Sequence, residues 1–378
     1  MGWKLTLING VVTREDWRLS FLKSMSLSKK IVHKKNEFFR GIKLNFLLAR
    51  YKIRKKANYL DYNNVDKVLL LRLDDKIGDM VVATGVIKSL FDRNIKVYLL
   101  TGPLCANLLA HSEYVEEIFI YQRRHSLNYL TQQRFDVVID FDDVVTYERC
   151  NLIHKVAAKC SIGFNKKNVP VYNQSIEFFD ENQHVTERHV RVLKLFGVTE
   201  NDYGYYVPVS QDSVARVEAL LCSLKYRRLI AINPFTGSDD KDLSSEQLQK
   251  LVNYIKNQHP DDQVILIGID KKIAALEIDD IIYVKGSTVN TAAEIIRRAD
   301  VIISPDTSIV HMCRVFNKPL LAIYNKRKLK DTGMVGYKIW APNYPGAFQL
   351  VIEQEYISQL PFDILKDEFD RLLTSIKA

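Results

Sequence analysis

Short apolar runs separated by segments of helical pattern constrain the fold of this chain more than any other feature. The first run, Val68-Leu-Leu-Leu-Arg-Leu, is almost continuously apolar, which is typical of a parallel strand buried on both faces. Further runs predict strands at 96–101, 117–121 and 136–140, with helices at 81–90 and 104–110. Strands that alternate with helices imply right-handed βαβ units. The first half is therefore predicted to be a doubly wound, Rossmann-like α/β domain.

A second series of the same kind begins near Arg228. Its apolar runs predict strands at 229–233, 263–268, 281–285, 301–304 and 320–324, with helices at 244–258 and 291–299. We therefore predict an N-terminal arm (1–60), a first Rossmann-like domain (61–210), a second one (211–345) and a closing helical segment (346–378), with a hinge near 203–225. Two such domains that face each other leave a cleft at the carboxyl ends of both sheets, where ligands bind in this class of fold.

Composition argues against several classes of protein. The 378 residues contain no apolar run long enough to span a membrane as a helix. The N-terminus lacks the apolar core and the small-residue cleavage site of a secretion signal, so we expect a cytoplasmic protein. The five cysteines show no Cys-x-x-Cys spacing, which indicates reduced thiols rather than a zinc site or a disulfide framework.

The net charge of +9 is concentrated in one segment. Between Lys23 and Lys56, twelve Lys or Arg residues accompany one acid, Glu37; their sum is +11, which leaves −2 for the rest of the chain. Six apolar residues recur among these cations at roughly helical spacing: Ile31, Phe38, Phe39, Ile42, Phe46 and Ile53. The pattern predicts a basic amphipathic helix that either binds an anionic membrane surface or packs its Phe stripe on the body of the protein. A nucleic-acid-binding arm is disfavoured, because no nucleic-acid motif accompanies it.

The segment Val301–His311 joins an apolar strand directly to the start of a helix. The strand ends in Ser304-Pro-Asp306, and Asp306 or Thr307 is a suitable N-cap for the helix behind it. The first N–H groups of such a helix have no partner inside it, and this end carries about half a positive charge. The junction is therefore a candidate phosphate site, although an ordinary capped strand-to-helix junction has the same pattern.

The loop after the first strand, Arg72-Leu-Asp-Asp-Lys-Ile-Gly-Asp79, brings a carboxylate to the predicted cleft. A dinucleotide fingerprint would place three glycines in this loop. Only one of them, Gly78, is present, which argues against an NAD or FAD enzyme. The Asp79 carboxylate either complements the dipole of the following helix or acts as a general base on a bound hydroxyl. The loop pattern by itself favours the dipole role.

Three motifs of the chain belong together. They are Arg72–Met80 at the first strand-to-helix turn, Lys241 behind the loop Ile232–Asp240, and Ser304–His311 followed by Asn317–Tyr324. In this order they resemble glycosyltransferase family nine, whose best-known members are the ADP-heptose:lipopolysaccharide heptosyltransferases. The resemblance runs from about Asp66 to Ala341 and leaves the basic arm outside. It implies a GT-B architecture of two facing Rossmann-like domains with parallel sheets, in which the N-terminal domain holds the acceptor and the C-terminal domain holds the nucleotide sugar.

The resemblance also implies roles for individual residues. Asp79 matches the base of an inverting, metal-independent transfer, and Lys241 matches a lysine that binds the diphosphate. The predicted donor and diphosphate site comprises Lys241, Thr236, Ser238, Asp306, Thr307, Ser308 and His311, and the predicted acceptor side comprises Asp75, Lys76 and Gly78. No metal ligand and no cofactor is predicted, since the nucleotide sugar is a substrate. A solvated loop lysine for Lys241 and a hydrogen-bonded core histidine for His311 remain alternatives.

The expected activity is the transfer of a sugar, with heptose from ADP-heptose as the leading donor, to a lipopolysaccharide core or a lipid-linked saccharide. We expect it at the cytoplasmic face of a bacterial inner membrane, with residues 23–56 on the membrane surface and without a nucleic-acid partner. Two departures leave the donor sugar open: Ser308 stands where many heptosyltransferases have Gly, and Leu243 where they have Trp. The alternatives are a family member that uses another donor and a non-catalytic protein that binds nucleotide sugar or glycolipid.

Overall fold

The computed structural model describes residues 27–54, 60–122, 128–199, 203–276, 278, 281–329 and 333–377. The N-terminus considered above for secretion and the ends of the basic arm at 23–26 and 55–56 lie outside the described residues, as do the side chains of Ile31 and Ile53. Within the described ranges, no helix combines the length and the apolarity needed to cross a membrane.

The first domain is built on six parallel strands. These are β1 (Lys67–Arg72), β2 (Lys96–Thr101), β3 (Glu117–Ile120), β4 (Val137–Asp140), β5 (Cys160–Phe164) and β6 (Gln174–Ile176), in the sheet order β3-β2-β1-β4-β5-β6. The helices are α1 (Leu27–Arg54), α2 (Ile77–Phe91), α3 (Pro103–Leu109), α4 (Asn128–Gln132), α5 (Tyr147–Val156) and α6 (Thr186–Leu195). Leu69, Leu70 and Leu71 of β1 are fully buried, because helices cover both faces of this sheet.

The second domain repeats this architecture. Its strands are β7 (Arg228–Ile232), β8 (Asp262–Leu266), β9 (Ile282–Tyr283), β10 (Val301–Pro305), β11 (Leu320–Asn325) and β12 (Ala347–Ile352), in the parallel order β12-β11-β10-β7-β8-β9. Its helices are α7 (Gln211–Leu221), α8 (Ser245–Gln258), α9 (Asp270–Ile273), α10 (Val289–Arg298), α11 (Ser308–Val315), α12 (Gly336–Ile339) and α13 (Phe362–Lys377). The predicted α/β fold with two parallel sheets is confirmed.

Both sheets have the same strand order when each is counted from its own first strand. The order reverses between β1 and β4 in the first sheet, and between β7 and β10 in the second. Loops diverge at such a switch point and leave a crevice beyond the carboxyl ends of the strands, which is where doubly wound domains bind ligands. A ligand site is therefore expected at the loops after these four strands.

The strands and helices that apolar runs predicted are present, with ends shifted by a few residues. The elements that were not predicted are β5, β6 and β12 and the helices α4, α5, α6, α9 and α12. Gly163 and Ser161 interrupt the apolar run of β5, and β6 is a three-residue edge strand with the sequence Gln-Ser-Ile. Short strands with polar or small residues give no clear period, so local pattern does not detect them.

Helix α1 packs on α5, but not through the predicted stripe. Leu47 is buried, and Leu44, Leu48 and Tyr51 are partly buried against the first domain. The described residues of the Phe stripe are exposed instead: Phe38, Phe39, Ile42 and Phe46. The interpretation in which this stripe packs on the body is therefore wrong, because a different face of the helix makes that contact.

The segment that leads from the first domain to α7 is anchored on both sides. The Tyr203 hydroxyl donates a hydrogen bond to Val82 O at 2.7 Å and accepts one from the N–H of Val86 at 3.1 Å, both in α2. From the second domain, Arg314 Nη2 of α11 donates to Tyr203 O at 3.1 Å. This segment therefore ties α2 to α11, the helices that begin at the two switch points.

Candidate active site

Helices α2 and α11 pack against each other with their N-terminal turns in contact. A Cβ atom placed on Gly78 would lie 3.4 Å from Ser308 Cα and 3.4 Å from His311 Cδ2. The predicted acceptor-side glycine therefore touches two predicted donor-side residues. The structure thus brings the two switch points together, as a cleft between facing domains requires.

Asp79 lies in the first turn of α2 and is held by Arg72 from the end of β1. The Arg72 side chain is 3% exposed, and its Nη2 atom forms an ion pair with Asp79 Oδ2. Its Nε lies 3.2 Å from Asp74 Oδ1, and its Nη1 lies 3.4 Å from Asp142 Oδ1. Burial by itself would lower the pKa of Arg72, but the three surrounding carboxylates raise it above its ordinary value. The guanidinium that holds Asp79 is therefore permanently charged.

Behind this guanidinium, a buried group of charges occupies the end of β4. Arg149 forms ion pairs with Asp140 and Asp142, and Lys166 Nζ lies 2.9 Å from Asp140 Oδ2. The Tyr172 hydroxyl donates to the same Asp140 oxygen at 2.5 Å. Burial would raise the pKa of Asp142, but the nearby cations, Arg149 first among them, hold it below its ordinary value. Removing one member would leave a buried charge without its partner, so the group fixes the loop geometry.

The other two predicted acceptor-side residues have different environments. Asp75 adopts a left-handed backbone conformation (φ 56°), and its carboxylate accepts hydrogen bonds from the N–H of Leu104 at 3.1 Å and of Cys105 at 2.8 Å. It therefore stabilises the first turn of α3. Lys76 precedes α2, and its Nζ lies 3.9 Å from Asp79 Oδ2. Of these two, Lys76 is the residue beside the predicted base.

Thr307 caps α11, so the structure selects it over Asp306 as the N-cap. Its Oγ1 accepts a hydrogen bond from the N–H of Ile309 at 3.2 Å. Asn233, which follows β7, donates from Nδ2 to Thr307 Oγ1 at 3.1 Å and to Ser304 Oγ at 3.0 Å. These side-chain bonds join the loop after β7 to the junction after β10. They hold the N-terminal turn of α11, with its positively polarised end, in a fixed position.

Lys241 ends the short turn Asp239–Lys241 and reaches the same junction. Its Nζ donates to Asp306 Oδ2 at 2.5 Å, and both side chains are partly exposed. Thr236 Oγ1 donates to Ser238 O at 2.7 Å, and Ser238 Oγ donates to Asp240, so these two hydroxyls bind their own loop. The predicted donor residues that the structure brings together are Lys241, Asp306, Thr307, Ser308 and His311.

His311 lies one turn into α11 and is 3% exposed. Its ring contacts Tyr205 and Trp340 at centroid distances of 6.2 and 5.7 Å. Burial, with a smaller contribution from Arg314, lowers the pKa of His311 to about 4, so its imidazole is neutral near pH 7. Its Nδ1 atom is buried and has no hydrogen-bond partner within the described residues. His311 is therefore a neutral ring at this site, and the alternative of a core histidine hydrogen-bonded through Nδ1 is not observed in the part of the chain that the structure describes.

Four of the five cysteines are buried in the described structure, and Cys222 is exposed. Cys105, Cys150, Cys160 and Cys313 are buried free thiols, and burial raises the pKa of each. A raised pKa keeps a thiol protonated and weakly nucleophilic. Across the described part of the chain, no three His, Cys, Asp or Glu residues are grouped as a metal site would require.

A match to a protein-family model identifies the family of this chain. The model of glycosyltransferase family 9 (heptosyltransferase) matches residues 123–345, which is more than half of the chain. The chain belongs to glycosyltransferase family 9. The matched region includes the Lys241 loop and the junction between β10 and α11. The predicted family is therefore confirmed, and the protein is a glycosyltransferase.

Relatives of this family 9 glycosyltransferase are distant in sequence. A putative lipopolysaccharide heptosyltransferase 4 of Escherichia coli K12 is 23% identical over 362 residues, which cover 90% of this chain and 97% of the relative. A family 9 glycosyl transferase structure from Veillonella parvula has a TM-score of 0.70 at 13% identity and covers 84% of this chain and 99% of its own. E. coli ADP-heptose lps heptosyltransferase II has a TM-score of 0.66 at 16% identity, with 83% and 100% covered. The two sheets thus form a GT-B-like fold.

Sequence reasoning missed the residues that hold the site rather than those that line it. No functional role was predicted for Arg72, Asp142, Arg149 or Lys166. One signal was available, because Asp140 and Asp142 directly follow the apolar run of β4 at the predicted cleft. Leu243, the departure near the predicted sugar site, is buried in the core of the second domain.

Proposed function

We propose that this glycosyltransferase transfers heptose from ADP-heptose to a lipopolysaccharide core or another lipid-linked saccharide, with inversion at the anomeric carbon. The observation that carries the proposal is Asp79, held by Arg72 at one switch point, next to the Lys241 and α11 site at the other. The E. coli relatives, which are described as a putative lipopolysaccharide heptosyltransferase and an ADP-heptose heptosyltransferase, support this choice of donor and acceptor.

Asp79 is the proposed general base. In a single displacement, its carboxylate takes the proton of the acceptor hydroxyl while the hydroxyl oxygen bonds to the anomeric carbon, and the bond from that carbon to the diphosphate oxygen breaks on the opposite face. Both ion pairs of Asp79 described above use Oδ2, so we expect Oδ1 to receive the proton. Arg72 and Lys76 hold the carboxylate in position beside the proposed acceptor site.

The leaving diphosphate is the second part of the proposal. Negative charge grows on it as the glycosidic bond breaks, and fixed donors around the diphosphate stabilise that charge. The N–H of Ser308 at the start of α11 and the ammonium of Lys241 supply such donors. A charge-assisted hydrogen bond of this kind contributes about 1.5–3 kcal/mol. Asp306, which pairs with Lys241 here, would share that lysine with the incoming phosphate.

The third part concerns location. A lipid-linked acceptor lies at a membrane, so we propose that the enzyme works at the cytoplasmic face of a bacterial inner membrane. The basic arm, residues 23–56, supports this because its charge of +11 is suited to an anionic surface. Each Lys or Arg near such a surface contributes about 1 kcal/mol before screening by salt.

The test begins with the donor. Thermal shift against a panel of nucleotide sugars identifies the ligand that stabilises the full chain most, and we expect ADP-heptose to rank first. Transfer from that donor to lipopolysaccharide core acceptors then follows, and the anomeric configuration of the product is read by NMR. An inverted product in wild type and none with Asp79→Asn is the expected result.

Two results would contradict the proposal at different levels. A retained anomeric configuration would exclude the single displacement and the role of Asp79. Stabilisation and turnover with a different nucleotide sugar would leave the proposed mechanism intact but show that heptose is not the donor sugar. Leu243, which stands where many heptosyltransferases have Trp, leaves this outcome open.

A further inference from the structure

Helix α1 is apolar on two opposite faces. Leu44, Leu47, Leu48 and Tyr51 form the face that packs on the first domain. Phe38, Ile42 and Phe46 recur every four residues on the far side, with Phe39 beside them. At 100° per residue the centres of the two faces lie about half a turn apart, so packing on the protein cannot cover both. We call the second set the Phe face.

The Phe face is open to solvent. Phe46 is 73% exposed, Phe38 is 66% exposed, and Phe39 and Ile42 are each 49% exposed. Large apolar side chains that are grouped on one stripe differ from scattered exposed residues, because a contiguous patch marks a site of contact with a partner or a membrane. Lys35, Lys43 and Arg50 are exposed on the same helix. The patch therefore lies among positive charges.

Side-chain contacts attach α1 firmly to the acceptor-side domain. Arg40 Nε lies 3.0 Å from Glu148 Oε1 at the start of α5, and the Tyr51 hydroxyl lies 2.6 Å from His154 Nδ1 near its end. Helix α5 also carries Arg149, which binds the Asp142 carboxylate beside Arg72. The Phe face thus has a fixed orientation relative to the loop that holds Asp79, and it points away from the domain.

We propose that the Phe face inserts into the headgroup and acyl boundary of an anionic lipid bilayer and so fixes the acceptor-side domain on the membrane. The proposal rests on the proposed function, because a lipid-linked acceptor gives the domain a reason to lie there. The charge of the arm explains why the protein is attracted to an anionic surface. The Phe face supplies the apolar side chains that enter the lipid. Apolar insertion combined with surrounding Lys and Arg is the pattern of an interfacial helix.

Charge favours lipid over a second copy of the chain as the partner of this face. Between Leu27 and Arg54 the sequence has nine Lys or Arg residues and one acid. Two such helices placed face to face would bring like charges together and repel each other. Anionic headgroups instead attract these cations while the acyl region accepts the aromatic rings.

The experiment is flotation of the full chain with phosphatidylcholine vesicles, with and without phosphatidylglycerol. We expect wild type to bind the anionic vesicles. The affinity of Phe38→Ser/Phe46→Ser for these vesicles should be lower by about tenfold or more, since two large apolar side chains no longer enter the lipid. Phe179→Ser/Ile269→Ser is the matched control, because these residues are 58% and 68% exposed and lie on the body. The control should bind like wild type.

Further measurements separate this proposal from its alternatives. Equal flotation of the Phe38→Ser/Phe46→Ser variant and wild type would overturn it. So would a wild-type dimer in lipid-free buffer that becomes a monomer in this variant, which would assign the face to a second copy, or binding that depends on residues 1–26 and not on the Phe face. Transfer to a water-soluble, delipidated acceptor should be unchanged in the variant. If neither wild type nor the variant transfers sugar to this acceptor, the result counts against the proposed function and not against the role of the Phe face.

Discussion

The two switch points of this enzyme occupy the same place in the same fold, yet their chemistry differs. After β1 and β4 the decisive groups are buried charged side chains, with Arg72 surrounded by carboxylates. After β7 and β10 they are the amide of Asn233, the hydroxyl of Thr307 and the N-terminal turn of a helix, with one lysine–aspartate pair beside them.

The difference shows how one architecture supports two tasks. A buried ion pair is costly to separate, so the charged group holds a single carboxylate in one geometry, which a proposed base needs. Backbone N–H groups at a helix start bind anions of many kinds, and here the neutral side chains of Asn233 and Thr307 hold that start in place. Buried charges therefore position the proposed base at the first switch point, whereas neutral side chains position a backbone anion site at the second.

The largest effect should come from removing the base, which tests whether the two switch points act separately. Asp79→Asn should lower kcat by about 10²–10⁴-fold, because general-base catalysis typically contributes that much. The affinity for ADP should stay nearly unchanged, since the proposed diphosphate site lies at the other switch point. Initial rates and titration calorimetry measure the two quantities.

Asp92→Asn is the control for this substitution. It removes a surface carboxylate at the other end of α2, where Lys88 pairs with it at 2.7 Å, and it should leave kcat and ADP affinity as they are. If ADP affinity falls as far as kcat in Asp79→Asn, the separation of the two switch points is wrong.

Arg72→Lys tests whether the buried guanidinium positions the base. Lysine keeps the charge but has no planar fork that can reach several carboxylates at once, so the Asp79 carboxylate should shift. We expect kcat to fall by about 10²-fold, as a small misplacement of a reacting group can produce. The donor KM should not change, and the pH at which kcat reaches half its maximum should move.

A purely structural role for Arg72 would give a different pattern. The variant would then lose thermal stability and active fraction, while the remaining enzyme kept the wild-type pH profile of kcat. Active-site titration with a tight-binding nucleotide corrects kcat for the active fraction. An unchanged pH profile after that correction would show that Arg72 does not position Asp79.

Lys241→Met examines the donor side. If Lys241 binds the diphosphate, kcat/KM for the donor should fall by about 10–100-fold, which corresponds to the 1.5–3 kcal/mol of a charge-assisted bond. The double variant Lys241→Met/Asp306→Asn separates two roles, because it also removes the carboxylate that Lys241 neutralises. Full recovery in the double variant would mean that Lys241 merely offsets Asp306.

The smallest effect concerns stability and pH. Burial lowers the pKa of His311 to about 4 and that of His184 to about 3, so both are neutral in the folded protein at pH 7. An unfolded chain binds protons at these histidines near pH 6.5, so the free energy of unfolding should decrease as pH falls from about 6.5 towards 4. Each histidine changes it by at most about 1.4 kcal/mol per pH unit.

Urea unfolding at pH 7 and pH 5 measures this decrease. His311→Gln should make it smaller, since one of the buried neutral histidines is then missing. An equal decrease in wild type and variant would show that protonation of His311 does not contribute.

The parts of the fold that follow from local pattern were predictable, and the parts that depend on distant contacts were not. The β1 run Val68–Leu71 and the capped start of α8 at Ser244 are local signals, and both elements formed as expected. The contact between Lys166 and Asp140 joins residues 26 positions apart, so no period or motif announces it. The Phe stripe was visible in the sequence as well, but helical spacing does not tell which of two apolar faces will be covered.

The candidate site divides in the same way. Asp79, Lys241 and Thr307 could be named because they lie in motifs of fixed order, whereas the roles of Arg149 and Lys166 required the fold. Asp75 shows the converse case. It lies within a motif, but the motif did not predict that its carboxylate binds the first N–H groups of α3.

Gly78 sets how closely the starts of α2 and α11 approach each other. Its position for a Cβ atom already lies 3.4 Å from Ser308 and His311, so any side chain that extends beyond Cβ would push α2 away from α11. The acceptor oxygen and the anomeric carbon must approach to about 3–3.5 Å before they react. If the proposed sites hold the two substrates, a side chain at residue 78 would therefore change the distance between the reacting atoms.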